Sequence, residues 1–114
     1  MLMKNIPDKV IIQAVKASAR SNMRFKMGAV IYNKFGIIST GFNKSLHCGP
    51  SKFLPRANYS IHAEEDCLFG ISRRLLIGSS IFIYRSNNNL AKPCAKCAKL
   101  LTKAGITKIY YSPI

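Results

Sequence analysis

Acidic residues are nearly missing from this chain: its 114 residues hold four of them, Asp8, Glu64, Glu65 and Asp66, against 18 Lys and Arg. The formal charge is +14, which makes a polyanion the natural partner. Lysine-favouring codons would explain the lysines but not the shortage of Asp and Glu. Long apolar runs are missing too. No stretch approaches the roughly eighteen residues that a membrane span requires, and the opening Met-Leu-Met-Lys-Asn lacks the apolar core of a secretory signal. These absences predict a cytoplasmic protein with no membrane role. Cys48, Cys67, Cys94 and Cys97 are then expected as thiols or metal ligands and not as a disulfide framework.

With 48% hydrophobic and 19% charged residues, the chain can bury one core, so residues 1–114 are expected to form a single domain. Ile11, Val15 and Ser18 recur at helical spacing, predicting a helix from Pro7 to about Ser21. Met27 to Tyr32 and Gly36 to Phe42 are apolar or β-branched runs joined by Asn33-Lys34-Phe35-Gly36, a connection of hairpin length. Asn43 to Ser60 carries Gly49, Pro50, Pro55 and Asn58 with little periodicity and is expected as a long loop.

A second helix is expected from His62 to Ile71, with three acids in its first turn, where carboxylates complement the helix dipole. Ser79 to Arg85 has strand composition, and Ser86 to Lys92 is a polar loop. Pro93 suits the first position of a third helix, on which Cys97, Leu100, Leu101 and Ala104 share a side and which Gly105 stops. Ile106 to Ser112 is the last strand. The order α-β-β-α-β-α-β predicts a layered α/β domain.

The chemistry lies in two short motifs. His62-Ala63-Glu64 is followed, after 28 intervening residues, by Pro93-Cys94-Ala95-Lys96-Cys97. Zinc accepts imidazole nitrogen and thiolate sulfur, and three protein ligands leave its fourth tetrahedral position for water. Cys94 and Cys97 stand three apart at a helix start, where both sulfurs can reach one ion and the thiolate form is favoured. Glu64 is close enough to that water to move protons without ligating the metal.

These motifs resemble the cytidine deaminase superfamily, of the cytidine and deoxycytidylate deaminase zinc-binding type, and the resemblance covers roughly residues 4–112. It implies a three-layer α/β/α fold, with a mixed central sheet of about four strands and three helices. It also implies a Zn2+ site formed by His62, Cys94 and Cys97, with Glu64 as proton carrier in the hydrolysis of an exocyclic amine. Gly41-Phe42-Asn43 is similar to the Gly-Tyr-Asn of deoxycytidylate deaminases, which makes Asn43 a candidate substrate contact, along with Ala63 between ligand and acid.

The expected partner is a cytosine-containing nucleotide or a single-stranded nucleic acid. For a strand, Lys52, Arg56 and Arg85 are candidate groove cations, and Tyr59 and Tyr84 candidate stacking platforms. Adenosine deamination in tRNA is the alternative, although Lys92 stands where those enzymes carry Glu and the Ser86–Lys92 connection is longer. A further alternative is a structural zinc module that binds nucleic acid without catalysis. Cys48 would close such a site as fourth ligand, or build a second metal site with His47. Cys67 fits a small core residue. The C-terminal strand and helix of longer relatives have no counterpart here, so an exposed sheet edge and a homo-oligomer are expected.

Overall fold

Strand β1 (Met27–Asn33) has no solvent face, because all five residues from Gly28 to Tyr32 are buried. Side chains alternate along a strand, so such a strand needs cover on both sides. In the computed structural model, which describes residues 6–47 and 58–114 (only the backbone of Leu46, His47, Asn58 and Tyr59), that cover is a layer of helices on each face. β2 (Gly36–Phe42) pairs antiparallel with one edge of β1, and β5 (Ser80–Arg85) antiparallel with the other. β6 (Lys108–Tyr111) runs parallel to β5, completing a mixed sheet in the order β2-β1-β5-β6.

Helix α1 (Asp8–Ala19) covers one face, packing Val10 and Ala14 against Val30, Tyr32 and Phe82. The buried stripe is Val10, Ala14, Ala17 and Ser18, whereas Val15 is exposed and Ile11 only half-buried. The expected Ile11-Val15 face is thus rotated by about one residue. Gly28 is the reason: a Cβ there would collide with the Ala14 carbonyl. The bare backbone of β1 selects the small residues of α1 for contact and turns the larger ones outward.

The other face carries α2 (Ala63–Leu68), α3 (Arg73–Leu76) and α4 (Ala95–Ala104) over Ala29, Ile31, Ile81 and Ile83. α4 is the crossover that lets β5 and β6 run parallel. Gly105 ends it in the left-handed conformation, φ 100°, as its position predicts. A Cβ on Gly41 would lie 2.6 Å from the Cys67 nitrogen and 2.8 Å from the Ala63 carbonyl oxygen, so α2 rests on the backbone of β2. Cys67 is fully buried there, its thiol 3.4 Å from the Ser39 carbonyl, and burial pushes its pKa up to about 12.

The three-layer α/β/α arrangement with a mixed four-stranded sheet agrees with the sequence pattern, while four details differ. Within the expected Asn43–Ser60 loop, β3 (Lys44–His47) pairs antiparallel with β4 (Asn58–Ile61) as a separate ribbon. The Asn22 side chain holds it by exchanging two hydrogen bonds with the Ser45 backbone, 2.9 and 3.2 Å. α2 stops at Leu68, near Gly70 at φ 76°, and α3 follows as an extra short helix. The Ser86–Lys92 loop begins with a 3-10 turn, Ser86–Asn88, in which Asn87 and Asn88 take positive φ. α4 begins at Ala95 with Cys94 as its N-cap, two residues beyond the Pro93 start expected from the sequence. Among the described residues no helix is long and apolar enough to cross a membrane.

Candidate metal and catalytic site

The starts of α2 and α4 meet on one face of the sheet, and each contributes metal donors. His62 is the N-cap of α2 and Cys94 that of α4, with Cys97 in the first turn of α4. His62 Nδ1 lies 3.3 Å from Cys97 Sγ and 3.8 Å from Cys94 Sγ, and the three donor atoms are all within 4.8 Å of one another. Zinc holds sulfur at about 2.3 Å and imidazole nitrogen at about 2.0 Å, which places tetrahedral donors roughly 3.5–3.8 Å apart. The observed spacing fits. Cys97 N–H donates to Cys94 Sγ at 3.5 Å.

Each member of the acidic run has a different partner. Glu64 is 3% exposed and takes part in no ion pair among the described residues. Glu65 Oε1 accepts from the His62 backbone N–H at 3.1 Å, and its other oxygen lies 3.8 Å from Lys96 Nζ, tying the histidine to the helix of the cysteines. Asp66 accepts from the Phe42 N–H at 3.1 Å and from Lys44 Nζ at 2.9 Å, tying α2 to the end of β2 and the start of β3. The dipole argument accounts for carboxylates in a first turn but not for this division. The run is visible in the sequence, but the separate partners of its members are not.

Burial pushes the Glu64 carboxyl above the usual carboxylate range, while His62 and the Cys97 thiol pull it back. Burial also raises the Cys97 thiol, and the carboxylate of Glu64 adds to the effect. Without a cation, an acid and a thiol crowd each other in a poorly solvated place. A divalent ion reverses that balance, so the donor chemistry as well as the spacing fits zinc.

Of the remaining candidates, Asn43 is brought to the site. It is 7% exposed and lines a cavity of about 120 Å³ with His62, Met23, Met27, Ser60 and Ile61. Its side chain accepts from Met27 N–H at 2.8 Å and donates to the Phe25 carbonyl at 2.6 Å. Ala63 is fully buried, its methyl in the core. Arg85, at the end of β5, sits 4.7 Å over the exposed ring of Phe25. Tyr84 is not brought to the metal donors: strand alternation places it with Phe82 and Tyr110 on the α1 face, where its hydroxyl accepts from Asn88 N–H at 3.3 Å. The backbone of Tyr59 pairs with Leu46 in the ribbon. The side chain of Tyr59, together with Cys48, Lys52 and Arg56, lies outside the described residues. Met23 and Met27, which the sequence does not flag, form part of the cavity wall.

The fold is shared with solved structures. The dCMP deaminase of cyanophage S-TIM5 in apo form is 25% identical, with a TM-score of 0.67 over 91% of this chain and 79% of that one. The same enzyme in complex with dCMP and dUMP gives 24% identity and a TM-score of 0.69 over 95% and 81%. The cytidine deaminase of Mycobacterium leprae gives 19% identity and a TM-score of 0.64 over 90% and 86%. No curated protein sequence matches the chain significantly. The candidate metal donors lie within residues 5–113, which match the model of the cytidine and deoxycytidylate deaminase zinc-binding region, and the chain belongs to this deaminase family.

Proposed function

We propose that the protein hydrolyses the exocyclic amine of cytosine in a nucleotide, with zinc held by His62, Cys94 and Cys97 and with Glu64 as the catalytic acid and base. The observation that carries the proposal is Glu64 itself: a carboxyl 3% exposed, two residues from a candidate metal donor and free of any ion pair among the described residues. A closed structural site has no use for such a group. Support for cytosine comes from the fold shared with the cyanophage enzyme solved with dCMP and dUMP.

Bound zinc supplies a water of lowered pKa, near 7, beside the acid. Glu64 takes a proton from the attacking water and passes it to the ring nitrogen. A second transfer to the exocyclic nitrogen lets ammonia leave. Cytosine and water become uracil and ammonia, and Glu64 ends as it began. Burial raises the Glu64 pKa in the metal-free site and a bound divalent ion would oppose that shift, so that the carboxylate could accept the first proton. Asn43 borders the cavity beside His62, where the base would sit.

The test is Glu64→Gln in zinc-loaded protein, scored for metal content and for ammonia release from dCMP. Retained zinc with turnover reduced about 10²–10⁴-fold is expected; unchanged turnover overturns the assignment. Cys48→Ser separates a catalytic site from a closed one. It retains zinc if the ligands are three and loses it if Cys48 is the fourth.

A further inference from the structure

The segment 23–27 alternates between two environments. Met23 and Met27 line the cavity beside His62, while Arg24, Phe25 and Lys26 between them are exposed, Phe25 to 56%. The segment is therefore the rim of the site. Asn43 fixes it, bonding to the Phe25 carbonyl and to the Met27 N–H.

Cations gather around the ring of Phe25 at this rim and around that of Phe42 at the end of β2. Arg85 lies 4.7 Å and Arg24 5.6 Å from the centre of Phe25, and Lys44 lies 4.2 Å and Arg20 4.9 Å from the centre of Phe42. Lys44 is paired with Asp66, whereas Arg20, Arg24, Lys26 and Arg85 have no carboxylate partner. All four acids of the chain belong to the described residues, so this absence is complete for Asp and Glu. The rings hold the guanidinium groups in place without neutralising them, and their donors stay available for phosphate.

A terminal phosphate brings about two negative charges, and the three unpaired cations Arg24, Lys26 and Arg85 exceed it. Further phosphates would satisfy the remainder, and Phe25 offers an exposed edge to a neighbouring base. We infer that the rim formed by Arg24, Phe25, Lys26 and Arg85 binds the backbone of a single-stranded polynucleotide, so that the cytosine entering the cavity belongs to a strand. This inference rests on the deaminase reading of the same site, and a binding measurement independent of turnover separates the two.

The experiment measures binding of a short fluorescent oligodeoxycytidylate to zinc-loaded protein across a salt series, alongside ammonia release from that strand and from dCMP. Binding should weaken steeply with salt, and Arg24→Ala or Arg85→Ala should each reduce the log–log slope by about 0.7. Phe25→Leu, an exposed change compatible with folding, should weaken binding roughly 5- to 100-fold. Turnover of dCMP with no binding of the strand, or variants that bind as the parent does, would overturn the inference and leave the deaminase reading standing. Strand binding that depends on Arg24 and Phe25, without ammonia from either substrate, would sustain the surface and reject the deaminase reading.

Discussion

The two helix starts that build the site have opposite compositions. α2 opens with three acids and holds no basic residue, whereas α4 follows its cysteine cap with Lys96, Cys97 and Lys99 and holds no acid. The six residues of α2 are almost all tied: Ala63 and Cys67 to the sheet, Glu65 to the His62 backbone, Asp66 to β2 and Lys44. Only Cys97 and Leu101 of α4 are buried, and its lysines point outward. A short helix bearing the proposed proton carrier needs many tertiary ties, because six residues are too few to be stable alone. The longer α4, which supplies two of the candidate donors, has fewer.

If that division is correct, damage to α4 removes the metal and damage to α2 removes the chemistry. The largest effect is expected from Cys97→Ala: zinc content near zero by elemental analysis, and turnover reduced on the order of 10³-fold or more. A variant that kept full zinc would show that α4 is not the principal metal holder. Gly41→Ala comes next, because its Cβ would press on the Cys67 nitrogen and the Ala63 carbonyl. A cost of about 1–3 kcal/mol is expected, seen as a Tm drop of roughly 5–15 °C, with turnover falling more than zinc content. An unchanged Tm would mean that α2 does not bear on β2.

A third test uses pH in metal-free protein. The native state raises the Glu64 pKa and so binds its proton more tightly than the unfolded chain does. The resulting stability is present below the ordinary glutamate range and is lost as pH rises through the raised value. The urea midpoint of chelated protein should therefore fall over that window. Glu64→Gln should flatten the fall and gain on the order of 1 kcal/mol at neutral pH. A midpoint in the parent that rises over the same window would contradict the burial of Glu64. Zinc-loaded protein should respond in the opposite sense, because its ligands release protons on binding the ion. The smallest effect is expected from Glu65→Gln, which keeps an acceptor for the His62 N–H and loses only the 3.8 Å contact with Lys96. A change under about 0.5 kcal/mol is expected, with zinc affinity nearly unchanged. A several-fold loss of affinity would make the Glu65–Lys96 contact a fixture of the metal site.

The metal donors were legible in the sequence because zinc constrains residue type and spacing together, and His62, Cys94 and Cys97 satisfy both. The main strands were legible because their β-branched runs leave little choice. The α1 face was legible only to within a residue: apolar spacing points to Ile11 and Val15, but the close approach is decided across the interface, by Gly28. The β3–β4 ribbon gave no signal, since Lys44, Ser45, Asn58 and Ser60 are polar and their pairing leans on Asn22, more than 20 residues away in sequence. Tyr84 illustrates a similar limit. Its alternation with Ile83 determines its layer, and the layer that held the metal could not be told from the strand alone.

The engagement of the acids also bears on how copies of the chain meet. Glu64 is buried, Glu65 and Asp66 are half-buried and bonded, and Asp8 is the one acid fully on the surface. Two molecules approaching in dilute buffer thus present like-signed colloidal surfaces with almost no negative counterpart to select an orientation. Light scattering should show net repulsion at low salt that fades as salt is added, the reverse of the trend expected for an oligonucleotide. Any anion that bridges two copies would act as a cross-linker, and purification from nucleic acid would then set the apparent size of the particle.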